Sequence, residues 1–328
     1  MNETTRRIAV LLPCYNEAAT IGKVVHEFQR ELPEAAIYVF DNNSTDDTAA
    51  IAQEAGAVVV FEPRQGKGYV IERMFSQIQA DYYVMADGDG TYPAERVQEL
   101  LRPVVLGRAD MAVGARLANH EKQSFRPLHV FGNRLVRWLI NTIFSARLTD
   151  ILSGYRAFND KVIDRVPIVS SGFEVETEMT VNCLYYGLKI VEIQVPYGSR
   201  AEGNPSKLRT VSDGARVLMK LFQLFRSFKP LTFFGTISLM LFALGLAAGI
   251  PPIYGFASTG RVERFPLAIL ATGLMILSAG TLFLGIILHA MNWRFKELHN
   301  VLTRARVAET NSDHRAIRAA RNENDSCT

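Results

Sequence analysis

Ile8-Ala9-Val10-Leu11-Leu12 is an apolar run closed by Pro13 and followed by Cys14-Tyr15-Asn16-Glu17. It is too short for the apolar core of a signal peptide, and Pro13 ends it, so the expected structure is a buried first strand rather than a cleaved leader. Working outward, Ile21, Val24, Val25, Phe28 and Leu32 recur at helical spacing, and 46–55 gives a second helical pattern. Further short apolar runs lie at 37–40, 58–61, 82–86 and 111–114. Such runs, separated by amphipathic stretches, predict an α/β fold with a mostly parallel sheet covered by helices on both faces.

The chain has 328 residues, 48% hydrophobic and 21% charged, with a net charge of +3. The apolar content excludes general disorder, and the charge is too small to suggest a nucleic-acid partner. Cys14, Cys183 and Cys327 are widely spaced and form no metal-binding pattern, which favours a reduced compartment. The mean hydropathy of +0.06 averages two unlike regions. Residues 230–260 and 265–293 contain no charged side chain. Each run exceeds the roughly 20 residues needed to cross a bilayer core. They predict a transmembrane hairpin over 230–293, with spans at about 231–254 and 266–291. Buried helices of a soluble bundle rarely stay charge-free for so long.

Arg226 and Lys229 precede the first run, Arg294 and Lys296 follow the second, and the head is rich in basic residues. The expected topology is multi-pass in the inner (plasma) membrane, with head and tail cytoplasmic. Leu218, Leu221, Phe222, Phe225 and Phe228 mark an amphipathic helix over 211–229, whose pattern fits a core-facing helix of the head equally well, and whose place beside a membrane span favours the interface. The tail, 294–328, is polar and expected to be mobile from 304, with a helix near 316–321. His289 lies inside the second run, a functional candidate by position.

In parallel sheets the ligand crevice lies beyond the carboxyl ends of the strands. The residues to question are therefore Tyr15-Asn16-Glu17, Asp41-Asn42-Asn43-Ser44, Asp87-Gly88-Asp89 and Arg116. An Asp after a strand is commonly a helix cap, as expected of Asp46 and Asp47. Three acidic strand ends at one crevice point beyond capping. Asp87 and Asp89, two apart around a glycine, place two carboxylates where one divalent cation can take both, which suits Mg²⁺ or Mn²⁺ shared with a diphosphate. A calcium loop is excluded, because Thr91, Tyr92 and Gln98 stand where it needs an acid or amide, glycine and glutamate. Neither a dinucleotide fingerprint nor a Walker sequence is present.

Pro13-Cys14-Tyr15-Asn16-Glu17, Asp41-Asn42-Asn43-Ser44-Thr45-Asp46, Gly66-Lys67-Gly68, Asp87-Gly88-Asp89 and Gly114-Ala115-Arg116 occur in the order found in family 2 glycosyltransferases, which the chain resembles. Thr149-Asp150-Ile151-Leu152-Ser153-Gly154-Tyr155-Arg156, Gly172-Phe173-Glu174-Val175-Glu176 and Ser206-Lys207-Leu208 are similar to its dolichyl-phosphate mannose synthase and polyprenyl-phosphate glycosyltransferase branch. The resemblance covers about residues 8–210 and implies a Rossmann-like GT-A catalytic domain over 1–210. It implies metal-dependent, inverting transfer of a hexose from a UDP- or GDP-linked sugar to a polyprenyl phosphate, as in cell-envelope glycosylation. By the same resemblance Pro13, Tyr15, Glu17, Asp41, Asn43, Lys67, Asp87 and Glu176 face the nucleotide sugar, and Asp87 and Asp89 hold the metal, with Asp89 preferred over Asp87 as its direct ligand. Asp89, Arg116 and Asp150 are the catalytic candidates.

The acceptor is already an anion, so it needs cations more than a base; Arg116, Arg134, Arg200, Ser206 and Lys207 are the candidates to hold its phosphate. Asp150 either orients an arginine, acts as a weak base or belongs to a turn. Glu174, Glu176 and Glu178 share a face in a strand and spread in a helix. The chain departs from the family pattern at Asn42-Asn43, where Asp-Gly is frequent, and at Thr91, where Gln is frequent. A processive polysaccharide synthase and a non-catalytic nucleotide-sugar binder are the competing readings; a homo-oligomer is compatible with all three.

Overall fold

The computed structural model describes residues 7–116, 127–172, 174–196, 198, 219, 222–223, 225–262 and 264–325. The chain divides into two compact units, Met1–Phe222 and Gln223–Thr328. In the first, β1 (Ile8–Cys14), α1 (Ile21–Glu31), β2 (Ala36–Asp41), α2 (Thr48–Glu54), β3 (Val58–Phe61), α3 (Lys67–Gln77) and β4 (Tyr82–Met85) alternate as expected. Then come α4 (Val97–Val105), β5 (Met111–Arg116), α5 (Pro127–Phe144), β6 (Arg156–Asn159), α6 (Asp160–Arg165), α7 (Val175–Tyr185) and β7 (Ile190–Val195).

The seven strands form one sheet in the order β3-β2-β1-β4-β6-β5-β7. All run parallel except β6, which is antiparallel to both β4 and β5. The apolar alternation of β1 explains why the sheet is buried on both faces. Val10, Leu12 and Cys14 join one core layer with Val25 and Phe28 of α1 and Leu100 of α4. Ala9 and Leu11 face the other, with Ile71 and Met74 of α3 and Met179 of α7. The chain leaves β1 toward β2 on one side and later enters β4 on the other. The ends of β1 and β4 therefore flank a topological switch point, where such sheets open a crevice.

Of the two conformations left open for the glutamates at 174–178, the structure has the helical one. Two features differ from the sequence expectation. β6 and β7 add two strands. Asp47 occupies the N-cap position of α2 without a side-chain bond, and it is Asp46 Oδ1 that accepts from the Thr48 N–H at 3.1 Å.

The second unit contains α8 (Pro230–Thr259) and α9 (Phe265–Asp325). Pro230–Thr259 and Phe265–Leu298 are each long and apolar enough to cross a membrane, and only 17% and 11% of their most apolar windows are buried. A core helix of a soluble domain would be covered by protein instead. The two helices pack together. Ser238 Oγ donates to Ser278 O at 2.8 Å and Ser278 Oγ donates to Ser238 O at 2.9 Å, with Gly245 set against Met275. No glycine or proline follows Gly285 in α9, and the helix continues through Asp325, well beyond the short tail helix expected at 316–321. The amphipathic helix expected over 211–229 falls largely outside the described residues.

Candidate active site

The crevice is built from loops stitched across neighbouring strands. The Asn16 N–H donates to Ser44 Oγ at 2.9 Å, and Asn16 Oδ1 accepts from the Thr45 N–H at 2.8 Å. The Glu17 N–H donates to Thr48 Oγ1 at 2.8 Å. Asn16 and Asn43 adopt left-handed backbone, at φ 52° and 60°. Asparagine tolerates that region far better than bulkier residues do. Pro13, Tyr15, Glu17, Asp41 and Asn43 thus gather at the ends of β1 and β2, where Cys14 pairs with Asp41 in register. Asp41 is buried; its Oδ2 accepts from the Ser44 N–H at 3.3 Å, while Oδ1 has no hydrogen-bond partner among the described residues. Leaving a buried carboxylate oxygen unsatisfied is costly, so Asp41 is poised to accept from a ligand.

Asn42, which the sequence singled out only as a departure, anchors the next loop. Its Nδ2 donates to Glu62 O at 3.1 Å and to Arg64 O at 2.7 Å, and its Oδ1 accepts from the Gly66 N–H at 2.8 Å. An amide can do both; a carboxylate cannot. The loop delivers Gly66-Lys67-Gly68. A Cβ at Gly66 would meet Ser171 O at 2.1 Å, and one at Gly68 would meet Ser170 O at 1.8 Å. Only glycines permit this approach.

Lys67 Nζ lies 2.5 Å from Asp87 Oδ1 and 2.5 Å from Glu176 Oε1. Burial alone would favour the neutral amine, but the two carboxylates outweigh it and hold the Lys67 ammonium above its ordinary range. Glu176 and Glu178 sit in the first turn of α7 and point apart, as helical spacing requires. Glu178 Oε2 accepts from the Ser170 N–H at 2.8 Å, fixing the strip on which Gly68 rests. Asp89 is buried, and its Oδ1 accepts from Thr91 Oγ1 at 2.6 Å and the Thr91 N–H at 3.1 Å. Thr91 O in turn accepts from the Gly198 N–H at 2.9 Å.

At the end of β5, Arg116 grips Asp150 through Nε at 2.7 Å and Nη2 at 2.9 Å. Burial raises the Asp150 carboxyl, but the Arg116 hydrogen bonds and charge prevail and keep it below the usual range. Of the readings left open for Asp150, the geometry favours orienting an arginine; a carboxylate so held is a poor base. Glu192 of β7, which sequence reasoning missed, supports the pair: Oε1 accepts from the Thr149 and Asp150 N–H groups at 2.7 and 2.8 Å. Arg156 was also missed as a positioning group. It is fully buried and donates to Ser153 O, Ile151 O, Glu176 O and Thr180 Oγ1 at 2.8–3.0 Å. Tyr92 OH accepts from the Gly154 N–H at 3.0 Å. Gly154 packs so closely on Asp87 that a Cβ would lie 2.9 Å from its Oδ2.

Arg134 is exposed on α5 beside Arg137, Trp138, Asn141 and Thr142, which line a shallow cleft with it. Arg200, Ser206 and Lys207 lie outside the described residues.

A crevice at the switch point of a largely parallel sheet, rimmed by carboxylates and a buried lysine, is where sheets of this kind bind their ligands. The comparisons sharpen this. The family model for glycosyl transferase family 2 matches residues 9–166. The chain is 34% identical over 252 residues to the glycosyltransferase AglJ of Haloferax volcanii, covering 76% of this chain and 82% of that one. It is 48% identical over 122 residues to protein RfbJ of Shigella flexneri, covering 37% and 95%. Its fold is similar to glucosyl-3-phosphoglycerate synthase from Mycobacterium tuberculosis, solved with Mn²⁺, UDP and glucosyl-3-phosphoglycerate, with a TM-score of 0.56 and 24% identity over 67% of this chain and 80% of that one. The chain belongs to glycosyl transferase family 2, and its catalytic unit has the GT-A type of fold.

Proposed function

We propose that the protein transfers a hexose, with inversion, from a nucleotide diphosphate sugar to a polyprenyl phosphate at the cytoplasmic face of a membrane. The observation that carries this reading is the meeting of Lys67, Asp87 and Glu176 at the switch point, in a chain that also has two apolar, largely uncovered helices. Glycosyl transfer is the reaction of the family. Lipid phosphate as acceptor is supported by the two helices and by the motifs shared with the polyprenyl-phosphate branch. Tethering to a bilayer raises the local concentration of an acceptor that water does not dissolve.

The residues fit a divalent cation that arrives with its donor. Among the described residues, no three acidic, histidine or cysteine side chains converge to hold a metal by themselves. Asp87 and Asp89 offer hard oxygens, and magnesium typically combines one or two carboxylates with substrate phosphates. When bound, the ion would stabilise the negative charge of the departing nucleotide diphosphate. Asp41 accepts a hydrogen bond from the nucleoside through its unsatisfied Oδ1. Arg116, gripped by Asp150, brings a guanidinium charge to the end of β5, where an anionic oxygen is attracted to it. The acceptor phosphate needs no base, which agrees with an Asp150 kept ionised and engaged. The relatives include a hexosyltransferase of low-salt glycan biosynthesis, Agl6 of Haloferax volcanii, 34% identical over 214 residues.

The test is product formation by the full chain in detergent, given Mn²⁺ or Mg²⁺, a panel of UDP- and GDP-sugars, and undecaprenyl phosphate. A lipid-linked sugar is the expected product, and Asp89→Ala is expected to abolish it without loss of fold. Turnover by Asp89→Ala equal to the parent's would remove the metal assignment. Transfer to phosphoglycerate but not to lipid phosphate would replace the acceptor.

A further inference from the structure

Lys67 is held between two carboxylates, and binding a donor does not by itself require that arrangement. Its two neighbours are glycines because the Ser170-Ser171 backbone presses on them. The Gly68 N–H donates to Ser171 O at 3.1 Å, and Asn42 holds Gly66 from the other side. The outcome is an ammonium placed between the loop after β4 and the first turn of α7, 2.5 Å from a carboxylate on each. Glu176 is buried, and Lys67 pairs directly with its carboxylate, with the buried Arg156 guanidinium nearby. Asp87, one of the two carboxylates that the proposed function gives to the metal, has the same cation on Oδ1.

We propose that Lys67 is a built-in counter-cation that occupies the metal's carboxylate until a diphosphate arrives, so that metal and donor bind as a coupled pair. This rests on the metal-dependent reading given above and deepens it. The physical basis is competition. A divalent ion coordinated by Asp87 would sit within a few ångströms of the Lys67 ammonium, whose side chain is largely buried. Both cations are accommodated only when further anionic oxygens enter. A diphosphate supplies them, accepting from Lys67 with some oxygens and coordinating the metal with others. Lys67 then shifts from Asp87 toward the diphosphate while Glu176 keeps it in place. Metal without nucleotide is thereby disfavoured, and coupling of this kind is reciprocal: what the nucleotide does for the metal, the metal does for the nucleotide.

The experiment measures Mn²⁺ binding to the full chain in detergent micelles by the electron paramagnetic resonance of free Mn²⁺, with and without UDP or GDP. For the parent protein, Mn²⁺ is expected to bind at least about tenfold more tightly when the cognate nucleotide is present. Lys67→Met and Lys67→Gln are expected to bind Mn²⁺ alone at least about tenfold more tightly than the parent, whereas Lys67→Arg, which keeps the charge, stays close to it. A Lys67→Met or Lys67→Gln protein that melts as a folded unit yet binds Mn²⁺ alone no better than the parent overturns the proposal. Should neither variant fold, the parent decides: equal Mn²⁺ affinity with and without both nucleotides overturns the coupling and leaves the metal assignment standing. No Mn²⁺ binding even with UDP or GDP would remove that assignment as well, so the two failures are distinguishable.

Discussion

Replacing Asn42 with Asp tests how the crevice is held together, at the position where the family pattern frequently has the acid. Asn42 is buried, and its amide donates to two carbonyls, Glu62 O and Arg64 O, while accepting from the Gly66 N–H. An ionised carboxylate would keep only the last bond and would turn an oxygen toward two carbonyls. Two lost bonds at a net value of about 1 kcal/mol each, plus the cost of buried acceptors left unmatched, give a loss of about 2–4 kcal/mol. The loop that slackens is the one presenting Lys67, so the Michaelis constant for the donor should rise as well. Protonating the introduced carboxylate would restore one donor. Because the folded state then favours the protonated form, the pKa of that group there lies above the unfolded value of about 3.9. The variant's deficit is therefore smallest below that value and grows as pH rises through the raised folded pKa. Thermal unfolding of parent and variant in detergent across pH 4 to 8, with donor kinetics at neutral pH, measures both effects (roughly 4 and 8 bracket the titration). A variant that matches the parent in melting temperature and donor constant would refute the role given to Asn42.

Other perturbations follow from the same geometry. Arg116→Lys exchanges a two-pronged grip on Asp150 for a single contact and should lower kcat/KM for the acceptor by at least about tenfold. The Asp150 carboxyl lies below its ordinary range, so its stabilisation is present above about pH 4 and is lost as pH falls through the folded value. Acid unfolding of Asp150→Asn should therefore show a shallower loss of stability below about pH 4 than the parent does. Thr91→Val removes the 2.6 Å hydroxyl bond to Asp89 and should reduce turnover while changing the melting temperature little, with Thr91→Ser restoring activity. Gly68→Ala forces a methyl into Ser170 O and should cost at least about 3 kcal/mol, seen as loss of a cooperative melt.

The first five strands were legible because each is a short apolar run, and the alternation of faces along β1 matches the two core layers. β7 carried a readable signal that went unused: Val191, Ile193 and Val195 alternate with Glu192 and Gln194. β6 carried almost none. It has four residues and opens with Arg156, a side chain that composition rules place at the surface and that here is fully buried, its charge satisfied by three carbonyls and a hydroxyl. α7 was hidden for a related reason. Val175 through Cys183 are all buried, glutamates included, so no polar face remains to give an amphipathic stripe. Within the site, Lys67, Asp87 and Glu176 were each singled out, but their mutual contact depends on the Gly68–Ser171 approach, which no spacing encodes. Asn42 and Arg156 lie inside motif segments, but what they do depends on backbone groups of distant loops; Glu192 leaves no motif at all.

The reversed strand has a consequence for how this scaffold can change. Because β6 travels opposite to its neighbours, the segment leading into it, rather than the one leaving it, arrives at the functional rim. Thr149 through Gly154 are thereby wedged between the exits of β4 and β5, tied to Glu192 on one flank and pressed on Asp87 at the other. Lengthening that entrance would disturb both flanks together, whereas the opposite turn, Asn159 into α6, sits at the far rim and is tied to Asp110 of the β5 entrance.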